Sequence, residues 1–251
     1  MPEGDTAHRA ARRLHQVLAG EVLTQAELRV PRYATADLVG RTVSEVRAVG
    51  KHILHRIDDL TLHTHLKMEG EWHAYPLGQK WRRPAFQARA VLATREWQTV
   101  GFDLGVVELL RDESDAIGYL GPDPLGPAWD PDEAVRRLEA DDRPAHVALL
   151  DQTSVAGFGN IYANELLFLR GLDPREPLRE IREIVDLGAR ALRSNVNRPV
   201  RTFTGVRGQD TWVYGRAGLP CRRCGTIIRE TALGADPTRE SRVFWCPVCQ
   251  I

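Results

Sequence analysis

The hydrophobic pattern of this chain changes period once, and that change limits the folds open to it. From Val22 to about Leu110 the sequence runs in short alternating segments, VSEVRAV, HILHRI, LTLHTHL, ARAVLAT and WQTVGF, punctuated by Gly, Pro and Asp. Period-two alternation turns every second side chain toward a core, so this stretch predicts β-strands arranged as a sandwich or flattened barrel. Tyr119–Asp130 (YLGPDPLGPAWD) then carries three prolines and two glycines in twelve residues, which reads as a linker. Beyond it the apolar residues fall three and four apart. The order is β first and α second, an α+β chain, and 251 residues suffice for one large domain or two modest ones.

Helical signals flank the β-rich stretch. Ala7, Ala10, Ala11, Leu14 and Leu18 predict a helix over 6–18, with Asp5 or Thr6 as cap and Gly20 past its end. After the linker, Asp130 is a candidate N-cap with Pro131 at the first helical position, and Ala134 and Leu138 share a face. A second segment covers Ala145–Asp151. Ala156-Gly157-Phe158-Gly159 interrupts, Asn160–Leu169 resumes the helix until Gly171 and Pro174, and a long amphipathic helix is expected over Leu178–Asn195. Short strands are expected around the cysteines after Arg201.

All four cysteines lie in the last 31 residues as Cys221-x-x-Cys224 and Cys246-x-x-Cys249. Each knuckle lets two thiolates converge on one ion, and two knuckles complete a closed tetrahedral site. That predicts one structural Zn2+, with a redox dithiol as the rival reading. The metal would hold up the hairpin Arg229–Trp245, which carries Arg239 and Arg242.

Composition excludes some classes. With 43% hydrophobic and 27% charged residues the chain is of ordinary globular type, and no apolar run approaches the roughly 18–20 residues of a membrane span. The start, MPEGDT, has early acid and no apolar core, unlike a signal peptide, so a cytoplasmic location is expected, nucleoid-associated when DNA is bound. Formal net charge is zero, but from Asn195 onward nine arginines face four acids, a +5 tail compatible with a nucleic-acid footprint or with a merely solvated surface.

Chemistry concentrates at the N-terminus. Initiator methionine is commonly trimmed before a small residue, and removal of Met1 would leave Pro2 as a free secondary amine beside the Glu3 carboxylate. Such an amine attacks an electrophilic carbon to give an iminium ion, and an α-amino group titrates at about 7.7–8.0, leaving a neutral fraction near pH 7. With Met1 retained the nitrogen is an amide and the chemistry is blocked. Lys51, one of only three lysines with Lys67 and Lys80, sits at the start of an expected strand. The Gly157–Asn160 turn before a helix suits a phosphate, against the plainer reading of an interhelical turn capped by Asn160. His52, His55, His63, His65 and His73 read as packed or surface imidazoles, since no carboxylate falls at ligand spacing.

Together these segments resemble the family of formamidopyrimidine-DNA glycosylases and endonuclease VIII, over nearly the whole chain. The resemblance rests on PEGD, GKHIL, LGPDPL, VAGFGNIYANELLF, VYGRAGLPCRRCG and SRVFWCPVCQ. It implies a catalytic β-sandwich domain over 1–118, a linker over 119–130, a helix–two-turn–helix DNA-binding domain over 131–200 and a zinc finger over 201–251, with DNA between the β and α parts. It also implies a bifunctional DNA glycosylase/AP lyase of base-excision repair. Pro2 would attack the sugar C1′, Glu3 would serve as general acid/base, Lys51 would contact phosphate and support catalysis, and Asn160 and Arg242 would grip the same backbone. Cys221, Cys224, Cys246 and Cys249 would hold zinc, and the partner would be damaged DNA, with no membrane and no obligate protein partner. Flipping a nucleotide leaves a hole in the duplex, and Met68 falls where the family places a filling side chain; a buried core methionine is the competing reading.

Two departures from the purine-repairing branch favour the endonuclease VIII branch, with oxidised pyrimidines and abasic sites as substrates. The family's R-x-F-G filler is missing where Gly101-Phe102-Asp103-Leu104-Gly105 stands, and the segment before VYGR is short. The alternative function is a non-catalytic damaged-DNA binder on the same scaffold.

Overall fold

The computed structural model describes residues 1–236, 238 and 240–251, so Arg239 of the expected hairpin lies outside the described residues. The first helix, α1, spans Gly4–Leu18, two residues longer at its start than the apolar spacing predicted. Glu3 has extended backbone (φ −130°, ψ −168°), and its carbonyl accepts the N–H groups of Thr6 and Ala7 at 3.0 Å each, which makes Glu3 the N-cap. Asp5 and Thr6 are therefore first-turn residues and not caps; Asp5 is buried and its Oδ1 accepts the Thr6 N–H at 2.7 Å. Ala7, Ala11, Leu14, Val17 and Leu18 form the buried stripe. Burying each large aliphatic side chain contributes about 1.5–3 kcal/mol, so packing rather than intrinsic propensity holds α1 in place.

The chain forms two compact units, Met1–Tyr119 and Leu120–Ile251. In the first, eight strands follow α1: β1 (Gln25–Leu28), β2 (Val43–Val49), β3 (His52–Ile57), β4 (Leu60–His65), β5 (Glu71–Pro76), β6 (Ala88–Ala93), β7 (Trp97–Phe102) and β8 (Val106–Leu110). They make two four-stranded antiparallel sheets, β1-β6-β7-β5 and β2-β3-β4-β8. One core joins α1 to both sheets through Leu28, Val43, Ile53, Leu62, Leu92 and Val107. This is the β-sandwich the alternation predicted. On β6, Ala90 and Leu92 enter that core while Val91, between them, joins Tyr75, Val100 and Phe102 in a smaller cluster on the other face. A short helix α2 (Ser114–Ile117), absent from the sequence reading, starts where the Asp112 carboxylate accepts the Ser114 N–H at 2.9 Å.

The second unit holds α3 (Pro131–Glu139), α4 (Ala145–Leu150), α5 (Asn160–Arg170), α6 (Ile181–Asn195) and the strands β9 (Arg229–Leu233) and β10 (Ser241–Trp245). Asp130 caps α3 as its sequence position suggested, accepting from Asp132 and Glu133 N–H at 3.0 Å. The long helix starts at Ile181 and not Leu178, because Pro177 pairs with Pro144 in an isolated bridge and Glu180 sits in the left-handed region at φ +53°. Ala134, Leu149, Phe158, Tyr162, Leu166, Ile184 and Leu192 build the helical core. Gly188 on α6 is required by close approach: a Cβ there would lie 2.2 Å from Phe158 Cζ. The buried Glu165 carboxylate accepts the backbone N–H groups of Trp212, Val213 and Tyr214 at 2.7, 2.9 and 2.8 Å, fastening α5 to the irregular segment that leads into the cysteines.

Candidate functional site

In the first unit, Pro2 lines an open depression of about 540 Å³ together with Met1, Arg9 and Arg13 of α1, and Leu66 and Met68. Met1 is 42% exposed, so an aminopeptidase can reach it. Glu3, the next residue in the chain, is buried at 1% exposure. Met68 is 62% exposed on the turn between β4 and β5, which rules out a buried core methionine. Lys67 before it has φ +53°, so this turn projects its side chains from a sharply bent backbone.

Lys51 occupies the two-residue turn Gly50-Lys51 between β2 and β3, one position ahead of the strand in which it was expected. The pairing of Val49 with His52 closes this hairpin, and Gly50 takes φ +57°, as a type II′ turn requires at its first central position. Because β3 and β4 pair His52 with His65, the Lys51 turn and the Leu66–Gly70 turn lie at the same end of one sheet. The structure thus brings Lys51 and the Met68 turn together in register, and Met68 and Pro2 onto one depression.

Beneath Lys51 runs a hydrogen-bonded chain that sequence reading missed. Tyr119 Oη lies 3.2 Å from His52 Nε2, His52 Nδ1 lies 2.8 Å from His63 Nε2, and His63 Nδ1 lies 2.9 Å from Glu108 Oε2. With His63 Nδ1–H donating to the Glu108 side chain, every later donor follows: His52 Nδ1–H donates to His63, and the tyrosine hydroxyl donates to His52. Burial, with the His63, Lys67 and Lys51 charges, pushes His52 down to about 4; burial, with the His52, Lys67, Lys51 and His63 charges, pushes His65 down to about 3. Both rings are neutral at pH 7. A carboxylate does meet these histidines, but across the β4–β8 ladder, 45 residues away in sequence, where spacing could not reveal it.

In the second unit, Asn160 is the first residue of α5, and Gly159, in extended conformation, is its N-cap; the expectation of Asn160 as cap fails. Its side chain turns inward. Asn160 Oδ1 accepts from His146 Nε2 at 2.8 Å and from Asn164 Nδ2 at 2.8 Å. Burial pushes His146 down to about 4, so it is neutral and donates from Nε2. With Oδ1 doubly occupied, the amide NH2 is the group of the Asn160 side chain left to donate. Gln152 clamps the preceding turn, accepting from Gly157 N–H at 3.0 Å and donating to the Leu150 and Phe158 carbonyls at 2.8 Å each.

Asn164 also links this turn to Arg242. Its Oδ1 accepts the Phe244 N–H at 2.6 Å, holding β10 against α5. Arg242 on β10 is exposed, paired with Glu230 of β9, and its guanidinium lies 5.0 Å from the Phe244 ring. His146 and Asn164 were not singled out from sequence; nothing in their spacing separates them from ordinary core residues.

The four cysteine Sγ atoms lie within 4.8 Å of one another, with Cys221–Cys249 at 4.0 Å and Cys224–Cys246 at 3.4 Å. All four are free thiols. Four thiolates about 2.3 Å from one tetrahedral ion stand about 3.8 Å apart, so this spacing fits a metal and not a disulfide. Among the described residues no other group of three or more His, Cys, Asp or Glu side chains converges this way.

Comparison with known proteins agrees with this geometry. The sequence profile of the formamidopyrimidine-DNA glycosylase N-terminal domain matches residues 1–104, and that of the formamidopyrimidine-DNA glycosylase H2TH domain matches residues 120–197. The chain belongs to the formamidopyrimidine-DNA glycosylase family. Within that family it is 50% identical to a probable endonuclease 8 of Streptomyces coelicolor, across all of this chain and 94% of the relative. It is 46% identical to the DNA-(apurinic or apyrimidinic site) lyase Nei2 of Mycolicibacterium smegmatis, over 100% of this chain and 99% of that one. Its fold matches the Lactococcus lactis family member solved with abasic-site DNA at TM-score 0.80 and 25% identity, covering 99% of each chain. No helix among the described residues is long and apolar enough to cross a membrane.

Proposed function

We propose that this chain is a bifunctional DNA glycosylase and AP lyase of base-excision repair, acting on oxidised pyrimidines and abasic sites in DNA. The observation that carries the reading is the placement of Pro2 on the wall of an open depression, next to the buried Glu3 and facing the exposed Met68.

The residues support a consistent reaction. Once Met1 is removed, the Pro2 nitrogen attacks C1′ of the damaged nucleotide, and the base departs with the glycosidic electron pair. Glu3 moves the protons that open the sugar ring, leaving an iminium between Pro2 and C1′. The iminium acidifies the C2′ hydrogen, so loss of that proton expels the 3′ phosphate by β-elimination. A second elimination can release the sugar fragment, and water then hydrolyses the link to free the amine.

Lys51 binds phosphate beside the lesion from its hairpin turn. Asn160 and Arg242 hold the same backbone from the second unit, Asn160 through its amide NH2. Met68 enters the space vacated by the flipped nucleotide. Cys221, Cys224, Cys246 and Cys249 hold one Zn2+, closed to substrate and structural. It supplies the rigidity that keeps β9 and β10 in place, and no catalytic step runs through it.

The test is a panel of duplexes with single oxidised pyrimidines, oxidised purines or a plain abasic site. Strand scission at pyrimidine lesions and abasic sites is expected. Scission at neither, by a protein whose intact mass shows Met1 removed, would overturn the proposal.

A further inference from the structure

The most exposed large apolar side chain in the first unit is Phe86, at 82%, and the loop that presents it is firmly built. Residues 77–87 connect β5 to β6. Trp81 packs edge-on to Phe102 at 5.9 Å and donates from Nε1 to Gln98 Oε1 at 2.5 Å. Arg83 donates to Asp103 Oδ2 at 2.6 Å and to Gln87 Oε1 at 3.1 Å, while Arg29 donates to the Ala85 carbonyl at 3.1 Å. A loop anchored at this many points does not leave a phenyl ring in water for want of a place to pack it.

The loop's position narrows what the ring meets. Arg83 Nη1 lies 3.5 Å from the Glu69 carbonyl, one residue past Met68, so the loop is tied to the turn that walls the Pro2 depression. Segment 101–105, to which Asp103 also tethers the loop, offers no exposed apolar side chain, since Phe102 and Leu104 are buried. Lys80 and Arg82 on this loop and Arg89 just after it are exposed, and no ion pair among the described residues engages them. An exposed aromatic ring on a loop that also carries cations outside any ion pair suits a nucleobase flanked by phosphates.

Resting on the DNA-repair reading above, we infer that loop 77–87 is a second DNA contact in which Phe86 stacks on an unpaired base beside the lesion while Lys80 and Arg82 hold flanking phosphates. In an intact duplex every base is already stacked and paired, so a protein ring finds a free π-face only where a nucleotide has left the helix. Phe86 therefore adds affinity for damaged over undamaged duplex, and the two cations add affinity for both.

The experiment compares wild type, Phe86→Ala, Phe86→Trp and a Lys80→Ala/Arg82→Ala double variant on duplexes with a non-cleavable abasic analogue, with 2-aminopurine opposite it. Phe86→Ala is expected to weaken binding to this duplex about ten-fold, leave undamaged duplex binding unchanged, and remove the 2-aminopurine quenching seen with wild type, while Phe86→Trp retains it. The double variant is expected to lower the slope of log K against log salt by about 2 on both duplexes. Binding needs no turnover, so these readings judge the loop separately from the Pro2 chemistry, which covalent trapping judges. Equal damaged-duplex affinity and fluorescence for wild type and Phe86→Ala would overturn the inference and leave the ring to a protein partner; an equal loss on damaged and undamaged duplexes would overturn it too.

Discussion

Asn164 is the residue through which the helical turn and the β9–β10 hairpin hold each other, and substituting it tests that coupling. Replacement by Leu keeps the volume but leaves the Phe244 N–H, now bonded at 2.6 Å, buried without its acceptor. An orphaned buried donor costs about 1–3 kcal/mol, and loss of the two bonds to Asn160 adds about 1 kcal/mol, because His146 still serves Asn160 Oδ1. The expected loss of stability is about 2–4 kcal/mol. Replacement by Asp keeps the acceptor for Phe244 but sets a carboxylate oxygen where Nδ2 now meets two oxygens at 2.7 and 2.8 Å. That variant is expected to be less stable than Asn164→Leu at pH 7 and to recover as the pH falls toward 5, where a protonated carboxyl can donate again. Urea unfolding by far-UV circular dichroism measures the first quantity, and fluorescence anisotropy on abasic-analogue duplex the second, with about a ten-fold loss of affinity expected for both variants. Asn164→Leu within 0.5 kcal/mol of wild type, a margin typical of inert surface changes, would refute the reasoning.

Other expectations follow from single contacts. Burial holds His55, in contact with Trp72 at 5.0 Å between ring centres, down at about 4 against 6.5. The unfolded chain thus takes up this proton first, and stability present above pH 6.5 is lost as pH falls toward 4, by roughly 1.4 kcal/mol per pH unit. His55→Phe should flatten the pH dependence of urea unfolding by one proton in that window, and an unchanged slope would contradict the burial argument. Glu165→Gln replaces a carboxylate that accepts three N–H groups with an amide whose oxygen can keep two and whose NH2 opposes the third. It should cost about 2–4 kcal/mol in chemical denaturation, whereas a neutral outcome would mean the segment 212–214 is held by other contacts. Native mass spectrometry should find one zinc per chain, lost in Cys246→Ser together with abasic-DNA binding; full binding by metal-free protein would refute a structural metal.

Much of the fold was legible because its elements follow local rules. The period-two segments became the strands, Asp130 caps α3 with Pro131 behind it, and the spacing of the cysteines predicted their convergence. Where reading failed, backbone hydrogen bonding or a partner distant in sequence decided. The start of α1 moved to Gly4 because the Glu3 carbonyl, not the Asp5 or Thr6 side chain, accepts the Thr6 and Ala7 N–H groups. The start of α6 moved because Pro177 and Glu180 are committed to a bridge and a left-handed turn. The His52–His63–Glu108 chain and the His146–Asn160–Asn164 network join residues from different strands or helices, and no one-dimensional spacing encodes them. Met68 was ambiguous for the same reason: its exposure depends on how the β4–β5 turn bends.

The proposed mechanism requires that the Pro2 nitrogen form the covalent link to the sugar. Borohydride reduction of the protein on abasic duplex, followed by protease digestion and tandem mass spectrometry of the adduct, identifies that nitrogen directly. An adduct on the N-terminal peptide, beginning at Pro2 with Met1 gone, and lost in Pro2→Gly, is the predicted result. An adduct on Lys51 or Lys67, or a full trapping yield from protein that retains Met1, would contradict it.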